Sequence, residues 1–529
     1  MWAAELPGYS FPMSFARLRF RISHTAFCLG FCAVLFVVCN TVNFDRIARW
    51  FRAGEVLDLA ALLAYLLAAL CIFIAFFTLL AHRWTIKPLA ILLAIGSAAV
   101  TYFIAKYGVA IDSSMIRNAI HTDLVEVGQL MSVRMIPYVA LLMLLPACVI
   151  LLADITFEGS ARYLLGSLKI IGIALLVALG SLYAEYPAIF RAGNVSNKYI
   201  VYELVPVNFI SGSISVASKA LRPYLRRQQK DIPFAARVTA PGNLVVVLAV
   251  GESSRRKNFT VYGYQRRNTN PALQQITGLH MLDAVATRAS TLYALPKILE
   301  KQDIKLTTAV SRAGVPTACY VNYTLYDNCA AVGETRVEHC GHGGKCYDED
   351  VIPLLEQDLA TWKSGYRFLV LHFGGGSHGP IYADRHPPEF QQFKPMCTDA
   401  DIANQCTLEE VYNSYDNTIL YVDHVVSEAI HALERSGVPY VFIYLSDHGE
   451  SLLENGMMFH GVPPGVSLPA EQADIPLIVK SSVPVSIVPR AVYQQGDVFD
   501  SVLGLFNIQA ANFDRAGSFI KRDAIPATP

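Results

Sequence analysis

The sequence predicts a transmembrane domain of five helices followed by a soluble α/β domain built on a mostly parallel sheet. Three observations predict it. Five apolar stretches, about 24–42, 57–81, 87–105, 136–153 and 165–184, crowd into the first third of a 529-residue chain. Each approaches or reaches the ~20 residues needed to cross a bilayer core. Beyond residue 241, short apolar runs alternate with helix-like segments, which is the pattern of strands and crossover helices in a parallel sheet. The chain is also 53% hydrophobic with zero formal charge, and its mean hydropathy is +0.36. No basic stripe interleaved with aromatic residues is present, and the neutral balance gives no argument for nucleic acid, so no nucleic-acid partner is expected.

The second stretch, LDLAALLAYLLAALCIFIAFFTLLA, is apolar throughout and reads as a span rather than a buried core helix. The first lacks a small-x-small cleavage site and further spans follow it, so it is not read as a cleaved signal peptide. Basic residues set the orientation. Arg17, Arg19 and Arg21 precede the first span, His82, Arg83 and Lys87 lie between the second and third, and Arg162 lies between the fourth and fifth. Placing these inside puts the N-terminus in the cytoplasm and everything after residue 185 outside. Arg46, Arg49 and Arg52 then fall outside, against the rule.

Residues 106–135 form a polar stretch between the third and fourth spans. Asn118, Thr122 and Glu126 recur there at a spacing that puts them on one helix face. That row reads either as a solvated face or as a site for a polar headgroup at the membrane surface. Residues 186–240 form a linker, first aromatic and apolar, then basic (LRPYLRRQQK), suited to lying along a membrane interface. The soluble domain, 241–529, carries strand-like runs at 244–250, 368–373, 440–445 and 475–479, with a helix over 408–434. About 280 residues suffice for one such core.

Of 11 cysteines, five fall in membrane segments: Cys28, Cys32, Cys39, Cys71 and Cys148. The other six lie in the soluble part. Close spacing on an oxidising side of a membrane suggests disulfides. Sequence proximity favours 319–329, 340–346 and 397–406, among the fifteen connectivities that six cysteines allow. A four-cysteine zinc site is the rival reading, but no CxxC pair is present.

Three predicted strands end in residues suited to metal chemistry. The first runs into Gly251-Glu252-Ser253-Ser254, the second into Gly376-Ser377-His378-Gly379, and the third into Asp447-His448, with His460 beyond. Carboxylate and imidazole are ligands for Zn²⁺, and the C-terminal edge of an open α/β sheet is where ligands bind. Hydrolysis or transfer at phosphorus or sulfur fits, because Zn²⁺ lowers the pKa of a bound hydroxyl and neutralises oxygen charge. A transferase also needs a nucleophile. Hydroxyls cluster at 287–291, ahead of a helix-like run; a hydroxyl there reads either as a helix N-cap or as a nucleophile favoured by the helix dipole.

At these motifs the chain resembles the membrane-bound phosphoethanolamine transferases of Gram-negative inner membranes. These belong to the alkaline phosphatase and sulfatase superfamily and include the lipid A-modifying enzymes of polymyxin resistance. The resemblance rests on GESSRRKNFTVYGYQRRNTNP (251–271), STLYALP (290–296), HFGGGSHGPIYADRHPPEFQQFKPMC (372–397), YNSYDNTILYVDHVV (412–426) and SDHGESLLENGMMFHG (446–461). In the membrane part it rests on YGVAIDSSMIRNAIHTDLVE (107–126) and NKYIVYELVPVNFISG (197–212). It implies a sulfatase-like sheet with helices on both faces and a catalytic zinc held by Glu252, Asp447 and His448, with Thr291 as fourth partner. Thr291 would attack phosphatidylethanolamine and carry a phosphoethanolamine ester; an acceptor on lipopolysaccharide, a lipid A phosphate or a core Kdo or heptose, would then take the group. His378 and His460 would contact the phosphate or a second zinc. Asn118, Thr122 and Glu126 would touch the substrate headgroup. The resemblance places the catalytic domain in the periplasm, and a monomer is expected.

The chain departs from the family in places. Where relatives carry Ser-Cys-Gly-Thr ahead of the nucleophile and a cysteine after the proline, this sequence has Thr287-Arg288-Ala289-Ser290 and Lys297. The disulfide that often braces the nucleophile helix is therefore absent, and Ser290 competes with Thr291, though the spacing to Pro296 favours Thr291. Residues 316–350 match poorly, which leaves the acceptor open. Lys345 there reads as a phosphate contact or as a solvated lysine. Phosphoglycerol transfer or phosphodiester hydrolysis by the same superfamily is one alternative, and an inactive membrane scaffold is another. A sulfatase is disfavoured because no Cys-x-Pro-x-Arg motif is present.

Overall fold

A computed structural model of the chain describes residues 19–41, 43–121, 135–196, 199–225, 235–338, 340, 345–399, 401–462 and 466–523. Thr122 and Glu126 lie outside the described residues. The chain divides into two compact units, one of residues 1–105 and 133–211, the other of 106–132 and 212–529.

The first unit holds the apolar helices. Five are long and apolar enough to cross a membrane: α1 (His24–Thr41), α2 (Leu59–Leu80), α3 (Ile86–Tyr107), α5 (Met135–Leu152) and α6 (Ser160–Ala184). Between α3 and α5 lies α4 (Ser113–His121), which belongs to the second unit. The segment ahead of α1 pairs in parallel with the segment after α5, Phe20–Ser23 against Ala153–Thr156. His82, in the turn after α2, hydrogen-bonds the Tyr163 hydroxyl at 2.7 Å. These contacts gather the start of α1, the α2–α3 turn and the α5–α6 junction at one end of the bundle, as alternating crossings require. Two of the arginines that break the charge rule have a structural partner. The buried Glu203 carboxylate sits 3.5 Å from Arg46 and 3.1 Å from Arg49, and accepts from the Trp50 indole at 2.8 Å. A carboxylate this buried needs that company.

The second unit is built on an eight-stranded sheet: β1 (Leu244–Gly251), β2 (His280–Val285), β3 (Thr317–Val321), β4 (Thr335–Arg336), β5 (Tyr366–Phe373), β6 (Tyr440–Ser446), β7 (Asp474–Ser481) and β8 (Tyr493–Gln494). Their spatial order is β4-β3-β5-β1-β6-β7-β2-β8. Every strand but β7 points the same way; β7 runs antiparallel to both β6 and β2. β1 is buried from end to end. Leu244, Val246, Leu248 and Val250 face one apolar core, and Val245, Val247 and Ala249 the other. That is why the strand reads as a continuous apolar run rather than an alternation. Helix α8 (Leu408–Ser436) covers the second face. It starts on a capping box in which Thr407 and Glu410 satisfy each other's backbone N–H, and it ends on Gly437 in the left-handed region. Disulfides join Cys319 to Cys329, Cys340 to Cys346 and Cys397 to Cys406.

Candidate active site at the strand ends

The C-terminal ends of β1 and β6 are neighbours, with Ser446 in register with Gly251. The parallel ladder therefore places Glu252 beside Asp447 and His448, although nearly two hundred residues separate them. All three are buried, and one ligand atom from each lies within 4.8 Å of the others. The Asp447 Oδ1 accepts from the backbone N–H of Ser253 at 3.0 Å and of His448 at 2.7 Å, which leaves Oδ2 without a hydrogen-bond partner among the described residues. His448 donates from Nδ1 to the Gly449 carbonyl at 2.9 Å. In the neutral imidazole that bond would fix the tautomer and leave the Nε2 lone pair for a cation. Nε2 also has no hydrogen-bond partner among the described residues, and it stands 3.3 Å from Asp447 Oδ2 and 3.5 Å from Glu252 Oε1.

The electrostatics call for a cation. Burial alone raises the Glu252 carboxyl, but His448, His378 and the Ser253 and Thr291 hydroxyls outweigh it and hold the group below its usual value. Burial, then the Glu252 charge, push Asp447 up to about 6. Two carboxylates that share one dry site cannot both ionise easily, and a divalent ion between them relieves the repulsion. Two carboxylates and one imidazole, with orphaned atoms converging, fit a metal ion.

Thr291 faces the same point. It opens helix α7 (Thr291–Leu299), and Ser290 is its N-cap residue. The Thr291 hydroxyl donates to Glu252 Oε2 at 2.7 Å. The Ser290 hydroxyl turns away and donates to Asn118 Oδ1 on α4 at 3.0 Å. The two adjacent hydroxyls thus have different partners, and only Thr291 bonds a member of the carboxylate–imidazole cluster.

His378 and His460 close the other side. The His460 ring lies 4.3 Å from that of His448 and 5.0 Å from that of His378, centroid to centroid. Burial, then the two neighbouring imidazoles, keep His460 well below its usual pKa. Burial, then Glu252, raise Glu450 well above the usual range. Lys345 is placed differently: its ammonium lies 3.7 Å from Asp384 and over the Tyr347 ring.

Several supporting residues carried no sequence signal. Ser253 sits at φ 55°, a region costly for a residue with a side chain, and its hydroxyl donates to Glu252 Oε1 at 2.7 Å. Asp348 grips the glycine turn ahead of His378: its carboxylate accepts from Gly375 N at 2.8 Å, Gly376 N at 2.8 Å and Asn322 Nδ2 at 2.5 Å. Gly376, at φ 37°, lets Ser377 N donate to the Glu252 carbonyl at 2.9 Å. Asp348 sits in the acidic run Tyr347-Asp348-Glu349-Asp350, in which nothing marks one carboxylate over the others.

Comparison with known proteins bears on this arrangement. The model of the phosphoethanolamine transferase EptA/EptB family matches residues 69–221, and the sulfatase model matches 305–508. The phosphoethanolamine transferase EptA of Escherichia coli K12 is 30% identical over 484 residues, 84% of this chain and 87% of that protein. The phosphatidylethanolamine transferase Mcr-1 of Escherichia coli is 26% identical, over 96% of this chain and all of that one. The structure of the integral membrane lipooligosaccharide phosphoethanolamine transferase A of Neisseria meningitidis superposes with a TM-score of 0.83 at 25% identity, covering 95% of this chain and 100% of that one.

Proposed function

Because this chain belongs to the phosphoethanolamine transferase family, we propose that it moves phosphoethanolamine from phosphatidylethanolamine to a lipopolysaccharide acceptor through an ester on Thr291. The observation that carries this reading is the 2.7 Å hydrogen bond from the Thr291 hydroxyl to Glu252 Oε2, inside a buried cluster that also holds Asp447 and His448. The name of Mcr-1 supplies the donor, and the name of the Neisseria structure supplies the class of acceptor.

Glu252, Asp447 and His448 would hold the metal, with Thr291 beside them. When bound there, Zn²⁺ lowers the pKa of a neighbouring hydroxyl and offsets the charge that grows on the phosphoryl oxygens. Glu252 Oε2 orients the Thr291 hydroxyl and takes the hydrogen bond of its proton. In the first half-reaction Thr291 Oγ1 bonds to phosphorus and the bond from phosphorus to the diacylglycerol oxygen breaks. The proton lost by Thr291 balances the one gained by diacylglycerol. In the second half-reaction an acceptor hydroxyl oxygen bonds to phosphorus, the bond from phosphorus to Thr291 Oγ1 breaks, and the proton lost by the acceptor balances the one Thr291 regains. His378 and His460 flank the site where the phosphoryl oxygens would sit, and Asn118 brings α4 to the nucleophile loop, where a headgroup would lie.

The reading places the protein in a Gram-negative inner membrane with its catalytic domain in the periplasm. Three disulfides in the soluble unit support an oxidising side. It assigns 1–185 to the membrane domain, 186–240 to the linker and 241–529 to catalysis. Mass spectra of lipid A and core oligosaccharide, from a host that lacks such enzymes, test it. A phosphoethanolamine adduct is expected with the native chain and absent with Thr291→Ala. Retained activity in Thr291→Ala, with loss in Ser290→Ala, would move the nucleophile to Ser290. Native spectra without an adduct would favour another superfamily reaction or a scaffold.

A further inference from the structure

The nucleophile loop and the Asp447–His448 pair follow strands that do not touch. Thr291 follows the loop that leaves β2, and Asp447 is the first residue past β6. In the sheet, β7 lies between them and runs antiparallel to both. No backbone ladder joins β2 to β6, so the sheet alone leaves the spacing between Thr291 and Asp447 to the loops.

One side chain bridges this gap. Gln495, just past β8, is 1% exposed. Its Oε1 accepts from the backbone N–H of Thr287, in the nucleophile loop, at 3.3 Å. Its Nε2 donates to the backbone carbonyl of Asp447. The two partners fix which end of the amide is which, since only oxygen can face the N–H and only nitrogen the carbonyl. The base of Gln495 is itself held. Gln494 N donates to Asp497 Oδ2 at 2.9 Å, and Arg490 clamps the same carboxylate at 2.6 Å. The loop is pinned at two further points, by Ala286 N to the Ala473 carbonyl at 2.7 Å and by Ser290 to Asn118. Of these pins, only Gln495 ties the loop to the backbone of a proposed metal ligand.

We propose that Gln495 is a positioning residue that sets the distance between the Thr291 hydroxyl and the Asp447–His448 pair. This rests on the reading of Thr291 as nucleophile and of Asp447 and His448 as metal ligands. A buried primary amide with both ends used is satisfied only when the two loops are in register, so it favours that register over its neighbours. Residues that orient metal ligands through a second layer of hydrogen bonds typically matter by about 10- to 100-fold, and catalytic geometry tolerates only about 0.5 Å of drift.

Full-length protein in detergent, turning over phosphatidylethanolamine, tests it. Gln495→Met keeps the length and removes both hydrogen bonds. Its kcat is expected to fall roughly 10- to 100-fold with KM unchanged, zinc content unchanged, and faster amide exchange over 286–290. Gln495→Glu keeps an acceptor for Thr287 N but turns an oxygen toward the Asp447 carbonyl. It is expected to lose kcat while the Thr287 amide stays protected, and it decides the matter if Gln495→Met does not fold. A kcat within about twofold of native in either folded variant, or unchanged exchange over 286–290 in Gln495→Met, overturns the proposal. If native protein shows no phosphoethanolamine on Thr291, the nucleophile reading fails and this role fails with it. If native protein carries the adduct and Gln495→Met forms it at the native rate, the coupling alone is wrong.

Discussion

Asp348 offers the sharpest test of how the site is built. Its buried carboxylate gathers three donors, Gly375 N and Gly376 N at 2.8 Å each and Asn322 Nδ2 at 2.5 Å. Oδ1 serves Gly375 and Asn322, and Oδ2 serves Gly376. Asp348→Asn keeps the shape but turns one oxygen into a donor. The best arrangement leaves the carbonyl on the two-donor side and sets an NH₂ against Gly376 N. One buried N–H is then orphaned, at a cost of about 1–3 kcal/mol. Burial pushes the native carboxyl up from its usual pKa, so the neutral amide recovers part of a desolvation penalty. The net loss is roughly 2 kcal/mol, or about 4–8 °C in Tm for a domain of this size. Asp348→Ala orphans all three donors and loses roughly twice as much. The functional effect is larger than the thermal one. Gly376 and Ser377 form the turn that meets the Glu252 carbonyl, and His378 follows directly. Displacing that turn moves the backbone of Glu252 and an imidazole together, which at about 1 Å costs on the order of 100-fold in rate. Thermal unfolding and the lipid A mass assay read the two effects separately. Native Tm and native adduct levels in Asp348→Asn would refute the clamp.

Three further outcomes follow from the same structure. If the proposed site takes Zn²⁺, the ion at about a hundred times its Kd is expected to stabilise the soluble domain by roughly 2.7 kcal/mol, and Glu252→Gln is expected to remove most of that gain, measured by thermal shift with and without a chelator. Leu248→Ala, in a strand position with 0% exposure, costs about 3–4 kcal/mol, read by denaturant unfolding, and a loss under about 1 kcal/mol would contradict the two-faced core. The Glu349 carboxylate, 3.3 Å away, raises the His424 imidazole above its usual pKa through their hydrogen bond. The stability it adds is complete below the unfolded histidine pKa and fades as pH rises through the raised folded value. For a pair this exposed it amounts to less than about 1 kcal/mol, and His424→Gln should flatten that limb of the pH–stability curve.

The central strands were legible because they are buried on both faces and so read as unbroken apolar runs. The run at 244–250 became Leu244–Gly251, and that at 440–445 became Tyr440–Ser446. β2 and β3 escaped notice because their burial is broken along their length, and positions that are only half-buried or exposed dilute the apolar signal. The reversed direction of β7 left no trace, since strand polarity has no local composition. The motif residues Glu252, Thr291, Asp447 and His448 were each visible as types suited to metal or phosphoryl chemistry. Their convergence was visible only through resemblance.

The sequence by itself determined five apolar helices, an α/β domain, and which strand ends carry carboxylates, imidazoles and a hydroxyl. Those are properties of short windows: periodicity, apolar run length and side-chain chemistry. Only the tertiary structure decided which of two adjacent hydroxyls bonds Glu252, that Asp348 holds the turn before His378, and that Gln495 reaches from β8 to Asp447. These pairings join residues far apart in the chain, and no local pattern encodes them. They follow from sheet order and from the requirement that every buried polar group find a partner.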